Sequence, residues 1–236
     1  MTDIVGTPDP AWLSCFPDSA VEQVVGYVAR SWAELVTLFP RVHHAGEREP
    51  VLTKSLADYL DDPNRRRAGG IGGRFHAERP VTRRRAGRVK AVGRTDVEYH
   101  YPAPGSAALT LEFKKLQGTH GCRSAYRNKG IVRFLTGTYG REEARGVMCG
   151  LVTCSVEAEA EAIRASIGRC REQLACLPLP DGDVATEAWE IESGATVFET
   201  HHRKATITDP FRLSHVFMAL ATAAPPTAPP AADPPA

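Results

Sequence analysis

Gly93-Arg94-Thr95-Asp96-Val97-Glu98-Tyr99-His100-Tyr101 and, a short way on, Ala108-Leu109-Thr110-Leu111-Glu112-Phe113-Lys114 alternate polar and apolar residues with the two-residue period of a β-strand. In the first run Asp96, Glu98 and His100 fall on one side and Val97, Tyr99 and Tyr101 on the other. In the second, Leu109, Leu111 and Phe113 face a core while Thr110, Glu112 and Lys114 share the opposite face. The segment Pro102-Ala103-Pro104-Gly105-Ser106-Ala107 between them is rich in turn formers, so the spacing predicts an antiparallel hairpin. Two carboxylates and an amine then meet on one surface. That is the minimal equipment for holding a divalent cation beside a phosphodiester and activating water against it.

Charge is distributed unevenly around this hairpin. The formal net charge is only +1, yet from Pro63 to Arg94 there are eleven Arg or Lys residues and one acid, Glu78. That stretch carries +10 and the remainder −9. Arg forks pair with phosphate oxygens, so a basic segment beside a carboxylate-bearing hairpin suits a polyanion, with Arg83, Arg84 and Arg85 as its densest part.

The 236 residues, 42% of them hydrophobic, suffice for one large domain. Ser19 and Glu22 form a capping box ahead of Val21, Val24, Val25, Val28, Trp32, Leu35, Val36 and Phe39, which recur at helical spacing up to Pro40. A second helix starts near Pro50, buries Leu52, Leu56, Tyr59 and Leu60, and stops at Asp61-Asp62-Pro63; Glu49 precedes it in register with its apolar face, and Glu47 does not. Thr53 offers an alternative, later start. Short strands are expected at Gly73–Glu78 and from Val89, a helix or helix with loop over Tyr126–Thr138, a buried strand over Gly146–Thr153, a helix over Glu157–Leu177, strands at Ala188–Ile191 and Thr196–Thr200, and a closing helix over Leu213–Leu220. The stripe Ile163, Ile167, Cys170, Leu174 and Leu177 is expected to pack on the sheet, with a homodimer seam as the alternative. The expected division is a helical segment at 1–45, a main domain at 46–221, and a disordered Pro/Ala-rich tail at 222–236.

Some classes are disfavoured. The chain has no apolar run of bilayer length and its first residues do not resemble a signal peptide, so a cytoplasmic protein with no membrane partner is expected. Its six cysteines include no Cys-x-x-Cys pair and are read as buried thiols rather than zinc ligands. The neighbouring His201 and His202 lack an acidic ligand set and are not read as a metal site.

Helix, strands bearing Thr95-Asp96 and Glu112-Phe113-Lys114, helix, strand: this arrangement resembles the PD-(D/E)XK nuclease superfamily, with Thr95 standing where its members commonly have Pro. Tyr126-x-x-x-Gly130-Ile131-x-Arg133-Phe134-x-x-Gly137-x-Tyr139, followed by Gly146-Val147-Met148-Cys149-Gly150, is similar to restriction-endonuclease-like proteins of which some are associated with phage defence. Glu199-Thr200-His201-His202-Arg203 and Leu213-Ser214-His215-Val216-Phe217 also look like theirs. The resemblance covers roughly residues 47–220 and implies an α/β fold with a restriction-endonuclease-like core, a central mixed β-sheet flanked by helices in the order αβββαβ. It implies that Asp96 and Glu112, with the Phe113 carbonyl, hold Mg²⁺ or Mn²⁺, that Lys114 positions or polarises water, and that Glu49 completes the site. Arg133 would meet phosphate or a catalytic carboxylate, with a structural salt bridge as the alternative. The implied substrate is nucleic acid, DNA in preference to RNA, with a second copy of the chain or a defence-system protein as further partners. The alternative is a module of the same fold that binds nucleic acid or assembles without cleaving.

Overall fold

The computed structural model describes residues 18–78, 80–85, 88–102, 108–140 and 142–221. The tail, Cys15 and most of the linker between the two alternating runs lie outside them.

Helix α1 (Asp18–Leu38) buries Val21, Val24, Val25, Val28, Trp32 and Leu35, as its sequence spacing predicts, whereas Val36 is half-buried and Phe39 lies past the helix and is exposed. Helix α2 (Glu49–Leu60) opens on Glu49-Pro50, where a missing amide costs nothing, and buries Leu52, Leu56 and Leu60. Thr53 lies inside it, with its hydroxyl on the Glu49 carbonyl. Asp61 and Asp62 do more than end that helix. The Asp62 carboxylate accepts from the amides of Asn64 and Arg65 at 3.0 and 2.9 Å and so caps a further short helix, α3 (Pro63–Ala68). Asp61 takes the Arg74 guanidinium and the Phe75 amide, which fixes the first strand against α2.

The strands are β1 (Arg74–Ala77), β2 (Pro80–Arg85), β3 (Arg88–Arg94), β4 (Val97–His100), β5 (Ala108–Leu116), β6 (Arg145–Val152), β7 (Trp189–Ile191), β8 (Ala195–His202) and β9 (Phe211–Ala219). Seven form one mixed sheet in the order β1-β4-β5-β6-β9-β8-β7; β2 and β3 form a separate two-stranded ribbon. Within the large sheet β5, β6 and β9 run parallel, and the other neighbours are antiparallel. The hairpin reading holds, with Glu98 opposite Thr110 and Val97 opposite Leu111. Asp96 itself sits one residue before β4.

Between β5 and β6 the chain forms α4 (His120–Ala125), a π-helical turn (Tyr126–Ile131) and α5 (Val132–Leu135), so the expected helical region begins six residues earlier and is interrupted by the π-turn. Helix α6 (Val156–Arg169) follows β6 and is capped by the Ser155 hydroxyl. It ends eight residues earlier than its apolar spacing suggests, with turns carrying the chain to Leu174. Ile163 and Ile167 are fully buried against the sheet, so this stripe is used inside the fold and is not a dimer seam.

The closing segment corrects the sequence reading. Residues 211–219 form a strand, not a helix, inserted between β6 and β8. A strand covered on both faces shows a near-continuous apolar run, which periodicity alone does not separate from a buried helix.

The sheet divides two cores. Helices α1 and α2 cover Leu109, Leu111, Phe113, Val147, Cys149 and Val216 on one face. The π-turn, α5 and α6 cover Leu116, Met148, Phe198 and Phe217 on the other. Gly150 makes room in that second layer: a Cβ there would stand 2.7 Å from the Phe217 ring and 2.8 Å from Leu116. Of the five described cysteines all are free thiols and only Cys149 is buried, Cys154 being exposed, which corrects the expectation of uniformly buried thiols. Among the described residues no helix is long and apolar enough to cross a membrane.

Candidate active site

Strands β4 and β5 pair only from Val97–Leu111 to His100–Ala108, whereas β5 continues to Leu116. Past Leu111 the edge of β5 that faced β4 has no strand partner among the described residues, and its amides need acceptors. Two carboxylates supply them. The Phe113 amide donates to Asp96 Oδ2 at 2.8 Å, and the Lys115 amide donates to Glu49 Oε2 at 2.7 Å. The parting of two strands therefore draws one acid from the start of β4 and another from the first turn of α2 to the same stretch of backbone.

Between those acids lies the ammonium group of Lys114. Its Nζ is 2.8 Å from Glu112 Oε1 and 3.2 Å from Glu49 Oε1, and donates to the Phe113 carbonyl at 2.5 Å. Glu49, Asp96, Glu112 and Lys114, expected together from sequence, are thus gathered at one place. Glu47 turns aside: its carboxylate takes the Arg48 amide, and its carbonyl, with that of Ala45, is held by Lys115 Nζ. Lys115 secures the loop that delivers Glu49.

Arg133, on α5, reaches Glu112 Oε1 at 3.4 Å and donates to the Tyr139 hydroxyl at 2.5 Å, while its side chain stays 42% exposed. That exposure leaves guanidinium surface for a ligand. The Tyr139 hydroxyl in turn donates a hydrogen bond to the Arg94 carbonyl at 3.1 Å, at the root of the β2–β3 ribbon. The ribbon is tied in again where the Glu78 amide donates to the Asp96 carbonyl and Arg94 pairs with the Glu78 carboxylate at 3.1 Å. Arg83, Arg84 and Arg85 stand on β2, opposite Lys90, Val89 and Arg88 respectively; their side chains lie outside the described residues.

The electrostatics of the cluster follow from its burial. Glu112 is 1% exposed, and desolvation, reinforced by the neighbouring Asp96 charge, pushes its pKa up to about 7 against the pull of Lys114. Desolvation raises Asp96 as well, outweighing Lys114 and the Phe113 amide. Burial works against the Lys114 ammonium, but Glu112, Glu49 and Asp96 together overcome it and hold the group charged above its ordinary range. The carboxylates are short of positive charge even with the lysine in place. One oxygen makes this concrete: Glu112 Oε2 is buried and has no hydrogen-bond partner among the described residues.

These features bear on whether a hard cation suits the cluster. Asp96, Glu112 and the Phe113 carbonyl offer oxygen donors of the type Mg²⁺ or Mn²⁺ takes, and the orphaned Glu112 oxygen has a lone pair to give. No group of three or more His, Cys, Asp or Glu side chains among the described residues is placed to hold a metal ion, so the fit rests on two carboxylates and a carbonyl.

A second polar group on the same sheet face escaped the sequence reading. Glu143, a partly exposed residue with its carboxyl turned inward, lies 3.4 Å from the Thr110 hydroxyl, and Lys204 Nζ donates to the carbonyls of Gly140 and Glu143. Burial, with help from Glu98 and against Lys204, raises Glu143 from 4.5 to about 8. The folded chain therefore keeps a proton that the unfolded chain releases, and stability falls as pH rises through the window from 4.5 to about 8. Glu143→Gln is expected to flatten that decline in urea unfolding at the two ends of the window; an unaltered slope would refute the assignment.

His201, His202 and His215 have structural partners. His201 bonds Glu199 at 3.0 Å, whereas His202 turns inward to the Thr200 hydroxyl and the Leu174 carbonyl. Thr200 also bonds His215, which meets the Tyr126 hydroxyl at 3.0 Å, and burial holds both His202 and His215 below the usual imidazole range.

No family model, curated protein or solved structure matches the chain.

Proposed function

We propose that this chain is a cytoplasmic, Mg²⁺-dependent nuclease of the PD-(D/E)XK type with a restriction-endonuclease-like core, hydrolysing phosphodiester bonds in DNA. The observation that carries this reading is the convergence of Asp96, Glu112, Lys114 and Glu49 at the parted edge of β5. A role in phage defence, with a partner protein or a second copy of the chain, rests on the sequence likeness alone.

When bound, a divalent cation would lower the pKa of a water and neutralise charge building on the phosphate. Asp96, Glu112 and the Phe113 carbonyl would hold it, with Glu49 at the rim. Lys114 orients the attacking water and lessens repulsion between the acids. Arg133, anchored by Tyr139 and partly exposed, would pair with the phosphate. The Arg-rich ribbon rooted beside Asp96 supplies sequence-independent grip on the backbone.

The decisive assay is cleavage of plasmid and oligonucleotide DNA and RNA with Mg²⁺ or with EDTA. Metal-dependent cleavage that disappears in Asp96→Asn and Lys114→Ala supports the reading; cleavage indifferent to both removes the site. Exchanging Arg83, Arg84 and Arg85 together for Ala is expected to weaken binding evenly across sequences. The same change lowers the slope of log affinity against log salt by roughly one for each phosphate no longer neutralised. A slope equal to wild type would exclude the ribbon from binding. The ribbon also favours a second reading, a binding module without hydrolysis, which salt-sensitive binding and no metal-dependent turnover on any nucleic acid would establish.

A further inference from the structure

Lys114 does more than neighbour the acids. Its ammonium group sits on Glu112 Oε1, Glu49 Oε1 and the Phe113 carbonyl, and all three oxygens belong to residues that the nuclease reading gives to a metal ion. We propose that Lys114 is the resident counter-cation of this site, and that a divalent ion enters by displacing it, so that ammonium and metal exclude each other. The inference rests on the nuclease reading and adds to it a rule for how the site is loaded.

Charge balance supports exclusion. Three carboxylates (Asp96, Glu112, Glu49) face two cations, Lys114 and Arg133. A dication added to that set would leave a buried nest net positive; a dication taking the ammonium's place leaves it neutral. Desolvated like charges are costly, so the second arrangement wins.

The geometry provides for both steps. Glu112 Oε2, buried without a hydrogen-bond partner among the described residues, is a donor that an incoming ion can engage before the lysine leaves. Lys114 is 14% exposed along its side chain, so its flexible stem can carry the ammonium outward. Glu49 stays in place through the change because its second oxygen remains on the Lys115 amide. Lysine thus has two stations: on the carboxylates while the site lacks metal, and beside the attacking water once the ion is seated.

The test is calorimetric titration of MgCl₂ into the full chain without nucleic acid, comparing wild type, Lys114→Met, Lys114→Gln and Asp96→Asn, with Tm measured alongside. Removing the competing charge is expected to tighten Mg²⁺ binding by about tenfold or more in both Lys114 variants. It should also enlarge the rise in Tm that Mg²⁺ produces. Folding of a Lys114 variant that requires Mg²⁺ would equally support displacement. Mg²⁺ binding equal to or weaker than wild type in a folded Lys114 variant overturns it, as does failure of both variants to fold whatever the Mg²⁺ concentration. If affinity is equal in wild type and Lys114 variants but lower in Asp96→Asn, displacement falls and the metal site stands. If no form takes up Mg²⁺, both fall.

Discussion

On the nuclease reading proposed above, Asp96→Asn is expected to lower Mg²⁺-dependent cleavage by roughly a thousandfold while leaving the chain folded. Asparagine keeps the shape of aspartate, and its amide oxygen can still accept from the Phe113 amide, the 2.8 Å hydrogen bond that closes the β5 edge. What the exchange removes is charge, and charge is what a dication and the transition state need. The structural consequence should be small or favourable, since burial already raises the Asp96 pKa and the neutral amide escapes that cost. Cleavage and stability are therefore predicted to separate: turnover lost, Tm kept. Activity within tenfold of wild type would remove Asp96 from the chemistry, and a collapse of Tm would reassign it to the architecture. Lys114→Ala should match the loss of turnover.

Trp32→Ala is expected to cost about 3–5 kcal/mol of unfolding free energy. Trp32 is 2% exposed near the middle of α1, sets its ring edge-on to His43 at 5.6 Å, and donates its Nε1 proton to the Ala219 carbonyl at 2.6 Å. Truncation leaves a cavity between α1 and the sheet and also removes the hydrogen bond to the Ala219 carbonyl at the end of β9. Trp32→Phe separates the two effects, keeping most of the volume and losing about 1 kcal/mol for the hydrogen bond. Urea unfolding of the three proteins measures both. A Trp32→Ala loss below about 1 kcal/mol, the size of that hydrogen bond alone, would mean that α1 is not integral to the core.

The sequence was most legible where chemistry and periodicity coincide. Glu112 and Lys114 could be placed on one face because the strand period is fixed by backbone geometry, and Asp96 followed from the neighbouring run. Glu49 was recoverable because its angular register with Leu52 and Leu56 survives at the helix start. The parting of β4 from β5 was not legible, since it depends on where pairing stops and no residue type marks that point. The same holds for Tyr139, whose partners Arg133 and Arg94 lie six and forty-five residues away, and for Lys204, sixty-one residues from the Glu143 carbonyl it holds. Tyr139 did leave a trace, through its place in the spaced motif that begins at Tyr126. Residues 211–219 were misread for a different reason: with apolar neighbours above and below, a strand loses the alternation that would reveal it.

That late strand also shapes how the molecule can assemble. Because β9 lies between β6 and β8, both of which precede it in the chain, the seven-stranded sheet is bisected until residues 211–219 have been made and inserted. Synthesis from the amino end leaves a half bearing β5 and a half bearing β8, each with a bare main-chain edge, waiting for a common seam. Chaperone dependence and loss to aggregates should concentrate in that interval, and changes that make 211–219 slower to dock should lower the yield of folded protein more than they lower the Tm of what does fold.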